Sequence, residues 1–283
     1  MRIVIKFAGA LLEDAAAMHS LSRHVAVLAH HGHEILVIHG GGRLFTATLK
    51  RLGIESKFVA GLRVTDRETR DVAVMVFGGL LNKRLAAAIT AARQTAIGIS
   101  ASDGNSFSAA PLVHNDVEGR LGFVGYLTSV NLPFLQSLWR EKLVPVAACL
   151  GQGPDGELYN INADHMAAAS AEFVAADHLI YLTDVAGVLQ NQQVISVIST
   201  EQIEALVHSR VVSGGMVLKL EAAKRALEGG VREVHIVGGE SAGAVLDPHL
   251  FSTVSSKASN SDLPGTRVLR AVSSARHASP VLS

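Results

Sequence analysis

Five side chains in this 283-residue chain have the chemistry to handle a small charged molecule: Lys6, Arg63, Asn160, Asp164 and Lys219. Asn160 and Asp164 stand in Leu158-Tyr159-Asn160-Ile161-Asn162-Ala163-Asp164, which runs on into His165-Met166-Ala167-Ala168-Ala169. Asn162 is a good N-cap, because its side-chain oxygen accepts an orphan N–H of a first helical turn. Asp164 then falls inside that turn, where the helix dipole favours an anion. Lys6 closes the apolar run Ile3-Val4-Ile5 and abuts Gly9, while Lys219 lies just inside a helix begun by Gly214, Gly215 and Met216. A lysine so placed either snorkels to solvent or presents its ammonium to a phosphate. Arg63, in Gly61-Leu62-Arg63-Val64-Thr65-Asp66, either pairs with Asp66 or Glu68 or grips a carboxylate with two parallel bonds.

Glycines supply the second ingredient. Ala8-Gly9, Gly40-Gly41-Gly42 and the loop through Gly187 each follow a strand-like run, and Gly214-Gly215 precedes a helix. Such turns bring backbone N–H groups close to an anion, and a helix N-terminus adds a favourable dipole. None is a Walker P-loop, and the H-R-D and D-F-G marks of protein kinases are absent. Residues 151–156 match the dinucleotide pattern G-x-G-x-x-G, but Pro154 sits inside it and no helix opens after Gly156. A turn is the better reading.

The elements that must hold these residues follow from periodicity. Residues 2–6 read as a buried strand, 13–31 as a helix stopped by Gly32, 33–39 as a strand and 44–52 as a helix. Residues 67–93 read as a long helix in which Gly78-Gly79 marks close packing, a bend or a ligand. A strand at 95–101 leads into a polar, irregular region ending at Tyr126. Then come a helix at 129–141, a strand at 143–150, the helix from Ala163, a strand at 178–182, helices at 200–208 and 216–228, and a strand at 232–237. Strand, helix, strand, glycine turn, helix is the grammar of an α/β fold: a three-layer α/β/α sandwich with a mostly parallel central sheet. A composition shift near Asp177 divides the chain into residues 1–176 and 177–268, with a frayed tail at 269–283.

Composition narrows the class. Lys+Arg and Asp+Glu both number 25, so no global field draws nucleic acid or an anionic membrane. No run of 18 uncharged apolar residues and no signal peptide is visible, so no transmembrane helix is expected. The single Cys149 cannot close an internal disulfide, and its apolar neighbours make it a core thiol; a reducing, cytoplasmic setting fits. His30, His31 and His33 end a helix with no acidic partner at ligand spacing, and no dedicated metal site is expected.

The order of the motifs is more specific than any one of them. Lys6-Phe7-Ala8-Gly9, His39-Gly40-Gly41-Gly42, the Gly61 to Asp66 stretch, Asn82-Lys83, Asp103-Gly104, Tyr159-Asn160-Ile161-Asn162-Ala163-Asp164, Thr183-Asp184-Val185-Ala186-Gly187-Val188 and Gly214-Gly215-Met216-Val217-Leu218-Lys219 occur in succession. This resembles the amino acid kinase family, and within it the members acting on N-acetyl-L-glutamate, over about residues 2–268. The resemblance implies the amino acid kinase fold, with residues 1–176 binding the acylated amino acid and 177–268 binding ATP. It implies transfer of the γ-phosphoryl group to the side-chain carboxylate, a step of arginine biosynthesis, with Mg²⁺ arriving on the ATP. Lys6 and Lys219 would converge on the transferring group and Asp164 would hold them. Gly9, Gly41 and Gly42 would donate N–H groups. Arg63 would bind the substrate α-carboxylate, with Asn160 assisting. Thr183, Asp184, Val185, Ala186, Gly187, Val188, Val211, Gly214, Gly215 and Met216 would enclose the nucleotide.

Ala8 stands where the family has glycine, Gly238-Gly239-Glu240 replaces an Asp-Gly-Arg, and residues 254–262 interrupt the usual ending. No N-terminal helix of the kind carried by arginine-inhibited hexamers precedes the lysine strand, which favours a homodimer. Three other readings stay open: a kinase for another acylated or carrier-linked glutamate or aminoadipate, a catalytically silent amino-acid or nucleotide sensor, and, weakened by the rejected glycine pattern, a nicotinamide dehydrogenase.

Overall fold

Ile3, Val4, Ile5 and Phe7 are wholly buried, as befits a strand covered on both faces in the middle of a parallel sheet. In the computed structural model, which describes residues 1–113, 121–251 and 263–271, Arg2–Phe7 lies between Glu34–His39 and His178–Thr183, parallel to both. The full sheet has eight strands, in the spatial order Val197–Ser199, Thr266–Leu269, Glu233–Gly238, His178–Thr183, Arg2–Phe7, Glu34–His39, Val144–Ala148 and Ala96–Ile99. Thr266–Leu269 runs antiparallel to Glu233–Gly238, and Val197–Ser199 runs with it; every other pairing is parallel. Helices Ala163–Phe173 and Gly215–Glu228 pack together in one layer, Ala15–His30 and Asn82–Ala91 in the other. This is the α/β architecture that the periodicity predicts.

Three local structures go beyond that expectation. The long helix is continuous but not uniform: Arg67–Ala73 and Asn82–Ala91 are α-helical, and Val74–Leu81 between them is a π-helix. Gly78-Gly79 therefore marks a widened turn, a feature that concentrates at functional sites. The whole stretch Arg67–Ala91 is long and apolar enough to cross a membrane by length and composition. It nevertheless carries Lys83 and Arg84, and it buries Val72, Val76, Phe77, Leu81, Leu85 and Ile89 in the core.

The region read as irregular is ordered where it is described. Phe107–Pro111, Val124–Val130, Leu150–Gln152 and Leu158–Ile161 close on one another as a small barrel. It explains the decoy glycine pattern, because a Cβ on Gly151 would lie 2.4 Å from the Ala109 Cβ. Leu150–Gln152 and Leu158–Ile161 pair antiparallel across a turn, and no helix follows Gly156.

At the end of the chain, Thr200 N–H bonds to Leu269 O, and Ala271 N–H to Thr200 Oγ1, so residues 269–271 are tied to the sheet. The remainder of the tail, 272–283, and the 254–262 interruption lie outside the described residues.

Candidate active site

Asn162 caps Ala163–Phe173 as its sequence predicts, accepting from Asp164 N at 2.9 Å and His165 N at 3.2 Å. The cap fixes Asp164 in the first turn, above the carboxyl ends of the central strands. Lys6 reaches it from the sheet and Lys219 from the neighbouring helix. Both ammonium nitrogens lie 2.8 Å from the same oxygen, Asp164 Oδ1. Lys6 and Lys219 are only 7% and 6% exposed, so neither snorkels to solvent.

Tyr181, the register partner of Lys6 on the next strand, places its ring 4.7 Å from Lys219 Nζ and donates its hydroxyl to Asp164 O at 3.1 Å. Burial alone would raise the Asp164 carboxyl. Lys6 and Lys219 outweigh it and hold the group well below the usual carboxylate range. Burial, with Lys6 beside it, pushes the Lys219 ammonium down to about 8 against the pull of Asp164. Two cations on one anion leave the centre positive and suited to an incoming anion.

The glycine turns complete the floor. Gly9 opens the short helix Gly9–Glu13, and Gly41 caps Gly42–Arg51. The two turns touch, since a Cβ on Gly9 would lie 2.9 Å from Gly41 Cα. Gly41 has φ +157°, and a Cβ there would lie 2.0 Å from Leu81 Cδ1, so the π-helix presses against this turn. Ala8, where a glycine was expected, has φ −68° and ψ 146°, a conformation open to any residue. Its N–H bonds to Leu182 O at 2.9 Å, and the alanine does not distort the turn.

A cleft of about 250 Å³ rises from this floor. Lys6, Gly9, Gly41, Gly42, Arg63, Asn160 and Asp164 all line it, with Phe45, Phe58 and Phe77 as apolar walls. Arg63 is held by four groups. Its guanidinium lies 4.8 Å from the Phe45 ring and 4.5 Å from the Phe58 ring, and it donates to Thr46 Oγ1 at 2.7 Å and to Ser56 Oγ. The carboxylates of Asp66 and Glu68 are not its partners. Asp66 caps the next helix by accepting from Thr69 N at 2.8 Å. Asn160 Nδ2 donates to Thr65 Oγ1 at 3.2 Å. The stacking phenylalanines and the Thr46 and Ser56 hydroxyls escape sequence reasoning, because their only signal is proximity to Arg63 in space.

The other predicted residues divide. Lys219 joins the centre through Asp164. Thr183, Asp184, Val185 and Ala186 line a separate depression of about 550 Å³ with Gly238, Gly239, Glu240 and Ser241. Asp184 there accepts from Arg43 Nη2 at 3.0 Å, linking it to the first turn after the Gly41 cap. Val188 is fully buried, and its N–H donates to Thr266 Oγ1 at 2.8 Å, so its side chain belongs to the core. Gly187 packs against the same threonine, where a Cβ would lie 2.9 Å from Thr266 Oγ1. Gly214 and Gly215 face open space at the start of the Lys219 helix; Val211 and Met216 are half-buried against the core.

Cys149 lines the cleft yet is buried, and burial pushes its thiol up to about 12, so it stays protonated. Of the histidines that end the second helix, His31 Nδ1 lies 2.9 Å from Val27 O and His30 Nε2 3.3 Å from Arg93 O. The one metal-compatible group among the described residues is His178, Glu233 and His235, starting at the opposite, amino ends of two strands, and its carboxylate is paired with Arg267.

An open α/β sheet with a cationic, glycine-floored cleft outside its carboxyl strand ends is built for small anionic ligands. The chain belongs to the amino acid kinase family, whose family model matches residues 1–238. It is 51% identical over 256 residues to the acetylglutamate kinase of Koribacter versatilis (strain Ellin345), covering 89% of this chain and 95% of that protein. It is 43% identical over 248 residues to the acetylglutamate kinase of Acidobacterium capsulatum, covering 87% and 94%. Among solved structures, the N-acetylglutamate synthase from Neisseria gonorrhoeae, complexed with coenzyme A and N-acetyl-glutamate, superposes with a TM-score of 0.81. Its identity is 22%, covering 96% of this chain and 60% of that one, a likeness of fold.

Proposed function

We propose that this protein is an ATP-dependent kinase that phosphorylates the side-chain carboxylate of N-acetyl-L-glutamate to an acyl phosphate, a step of arginine biosynthesis. The observation that carries the reading is the shared Asp164 oxygen, with Lys6 and Lys219 each at 2.8 Å, beneath a cleft whose wall holds Arg63. The identity with two acetylglutamate kinases over almost their whole length supports it.

In this reading the two lysines meet the charge that builds on the γ-phosphoryl oxygens during transfer. Phosphoryl transfer asks mostly for positioning and electrostatics, and two fixed ammonium groups supply both. Asp164 is an organiser and not a base, because the acceptor carboxylate is already ionised at neutral pH. Arg63, pre-oriented between two rings, takes the α-carboxylate, and Asn160 helps to hold the acyl amino acid. Backbone N–H groups at Gly9, Gly41 and Gly42 contact the anionic groups between them. Residues 1–176 form the acyl-amino-acid lobe and 177–268 the ATP lobe; residues 183–186, Val211, Gly214, Gly215 and Met216 enclose the nucleotide, and Gly187 and Val188 anchor the loop to Thr266 beneath it. Mg²⁺ arriving on ATP would neutralise phosphate charge; Asp164, the carboxylate lining the cleft, is engaged by two ammonium groups and would not be its main anchor. The enzyme works in the cytoplasm as a homodimer. Met75 and Leu80, 57% and 43% exposed on the π-helix, offer an apolar face for the partner.

The test is hydroxylamine trapping of acyl phosphate with ATP and a panel of acceptors. Hydroxamate should form with N-acetyl-L-glutamate in preference to N-acetyl-L-2-aminoadipate and N-acetyl-L-aspartate. ATP-dependent hydroxamate from none of them would overturn the reading; a preference for the aminoadipate would reassign the substrate.

A further inference from the structure

Beneath the Gly40-Gly41-Gly42 turn lies a buried polar pair. His39 and Asn82 are both 0% exposed, one at the end of Glu34–His39 and the other at the first α-helical residue after the π-segment. Asn82 Nδ2 lies 2.8 Å from Val146 O and 3.3 Å from Ile99 O. Carbonyl oxygens only accept, so the NH₂ end of this amide must face them, and its Oδ1 accepts from Lys83 Nζ at 3.2 Å. The same NH₂ group lies 3.1 Å from His39 Nε2. An amide NH₂ opposite Nε2 and a carbonyl oxygen opposite Nδ1 together place the ring proton on Nδ1. From there it donates to Gly40 O at 3.0 Å.

That last bond has a consequence one peptide further on. In a trans peptide the C=O of one residue and the N–H of the next point in opposite directions. With Gly40 O held towards the His39 ring, the Gly41 N–H is turned away from it, and Gly41 itself lines the cleft. Leu81, one residue before Asn82, blocks any Cβ at Gly41, so the position stays glycine and its peptide is otherwise free to flip. The packing also needs Gly98, where a Cβ would lie 2.1 Å from Asn82 Oδ1.

We infer that His39 is a positioning residue: the chain from Asn82 to His39 to Gly40 sets the orientation of the Gly40–Gly41 peptide and so presents the Gly41 N–H to the anion in the cleft. This rests on the kinase reading for what the anion is, but not for the tautomer. The π-turn has a place in the same device, because it delivers Asn82 to the ring and Leu81 to the glycine in consecutive residues. Burial keeps His39 neutral by lowering it to about 4, so the arrangement holds through the physiological range.

Two measurements test it. The first is ¹⁵N NMR of the imidazole in the full-length, ligand-free protein. His39 should show a protonated Nδ1, an unprotonated Nε2 and no titration above about pH 5. The second compares His39→Asn with His39→Gln. An asparagine amide can place a donor near the Nδ1 position, and a glutamine amide reaches to the Nε2 position instead. His39→Asn should keep kcat within a few-fold of wild type, while His39→Gln should lose about 10–100-fold, approaching the ~10²–10³ of an oxyanion donor removed outright. Thermal unfolding of the two variants should differ little, which separates positioning from mere stability. A protonated Nε2 in the wild type, or equal kcat in the two variants while the wild type remains an active kinase, would overturn the inference. An inactive wild type with the Nδ1–H tautomer would instead count against the kinase reading and leave the peptide orientation standing.

Discussion

Lys6 and Lys219 meet at one atom. Each places its ammonium nitrogen 2.8 Å from Asp164 Oδ1, although one comes from the first strand of the chain and the other from a helix 55 residues after the aspartate. Two buried cations so close repel, and a single carboxylate oxygen between them makes the pair tolerable. The same crowding leaves Lys219 with an ammonium that an added phosphate would stabilise.

Removing either lysine should therefore act on the chemical step. Lys6→Ala and Lys219→Ala should each lower kcat by ~10²–10³-fold, the loss expected for one electrostatic stabiliser of a transition state. Steady-state kinetics on purified variants, with circular dichroism to show that they fold, checks this; turnover near wild type would remove the lysine from the mechanism.

The depressed Lys219 also sets a pH limit. With its ammonium pushed down to about 8 in the ligand-free protein, Lys219 is protonated below that pH and loses its charge above it. kcat/KM, which reports the free enzyme, should fall as pH rises through about 8. kcat should persist to higher pH, because bound phosphate holds the proton on. A kcat/KM profile flat to pH 10 would contradict the assignment.

Arg63 is expected to act on substrate binding. Its stacking on Phe45 and Phe58 pre-orients the guanidinium, and a lysine can copy neither the stack nor the two-bonded fork. Both Arg63→Ala and Arg63→Lys should raise KM for the acyl amino acid by about tenfold or more and leave KM for ATP within about twofold. An equal rise in both constants would point to a collapsed cleft.

Gly9→Ala tests the contact of the two turns. The new methyl would meet Gly41 Cα, backbone that cannot swing aside, at 2.9 Å. Overpacking of this kind costs about 1–3 kcal/mol, so the melting temperature should drop by several degrees, and kcat should fall with it as Gly41 shifts. A variant as stable and active as wild type would show that the turns have room to separate.

Much of this is legible in one dimension. The strand–turn–helix order, the Asn162 cap, the buried Cys149 and the false dinucleotide pattern all follow from neighbours in sequence, where periodicity and capping rules operate. The small barrel does not, because its strands are short and Gly151 is there for a cross-strand contact with Ala109. The π-turn is foreshadowed only by Gly78-Gly79. Val188 looks like a loop residue in the chain but is core in the fold, since Thr266, 78 residues later, receives its N–H. His39 and Asn82 stand in motifs that the sequence offers, but nothing local says that the two side chains meet: their joint meaning lies in a hydrogen-bond chain that crosses three segments.

The role of Asp164 is tested most directly by kcat–pH profiles of the wild type and Asp164→Asn. The asparagine keeps the shape and the cap but removes the charge that holds Lys6 and Lys219. If Asp164 is an organiser already ionised far below neutral pH, the variant is slowed at every pH, neither profile rises along a carboxyl titration, and the alkaline limb of the variant moves to lower pH because Lys219 loses the pull of Asp164. A wild-type kcat that rises with pH along a carboxyl titration, with that limb missing from Asp164→Asn, would make Asp164 a general base and contradict the account.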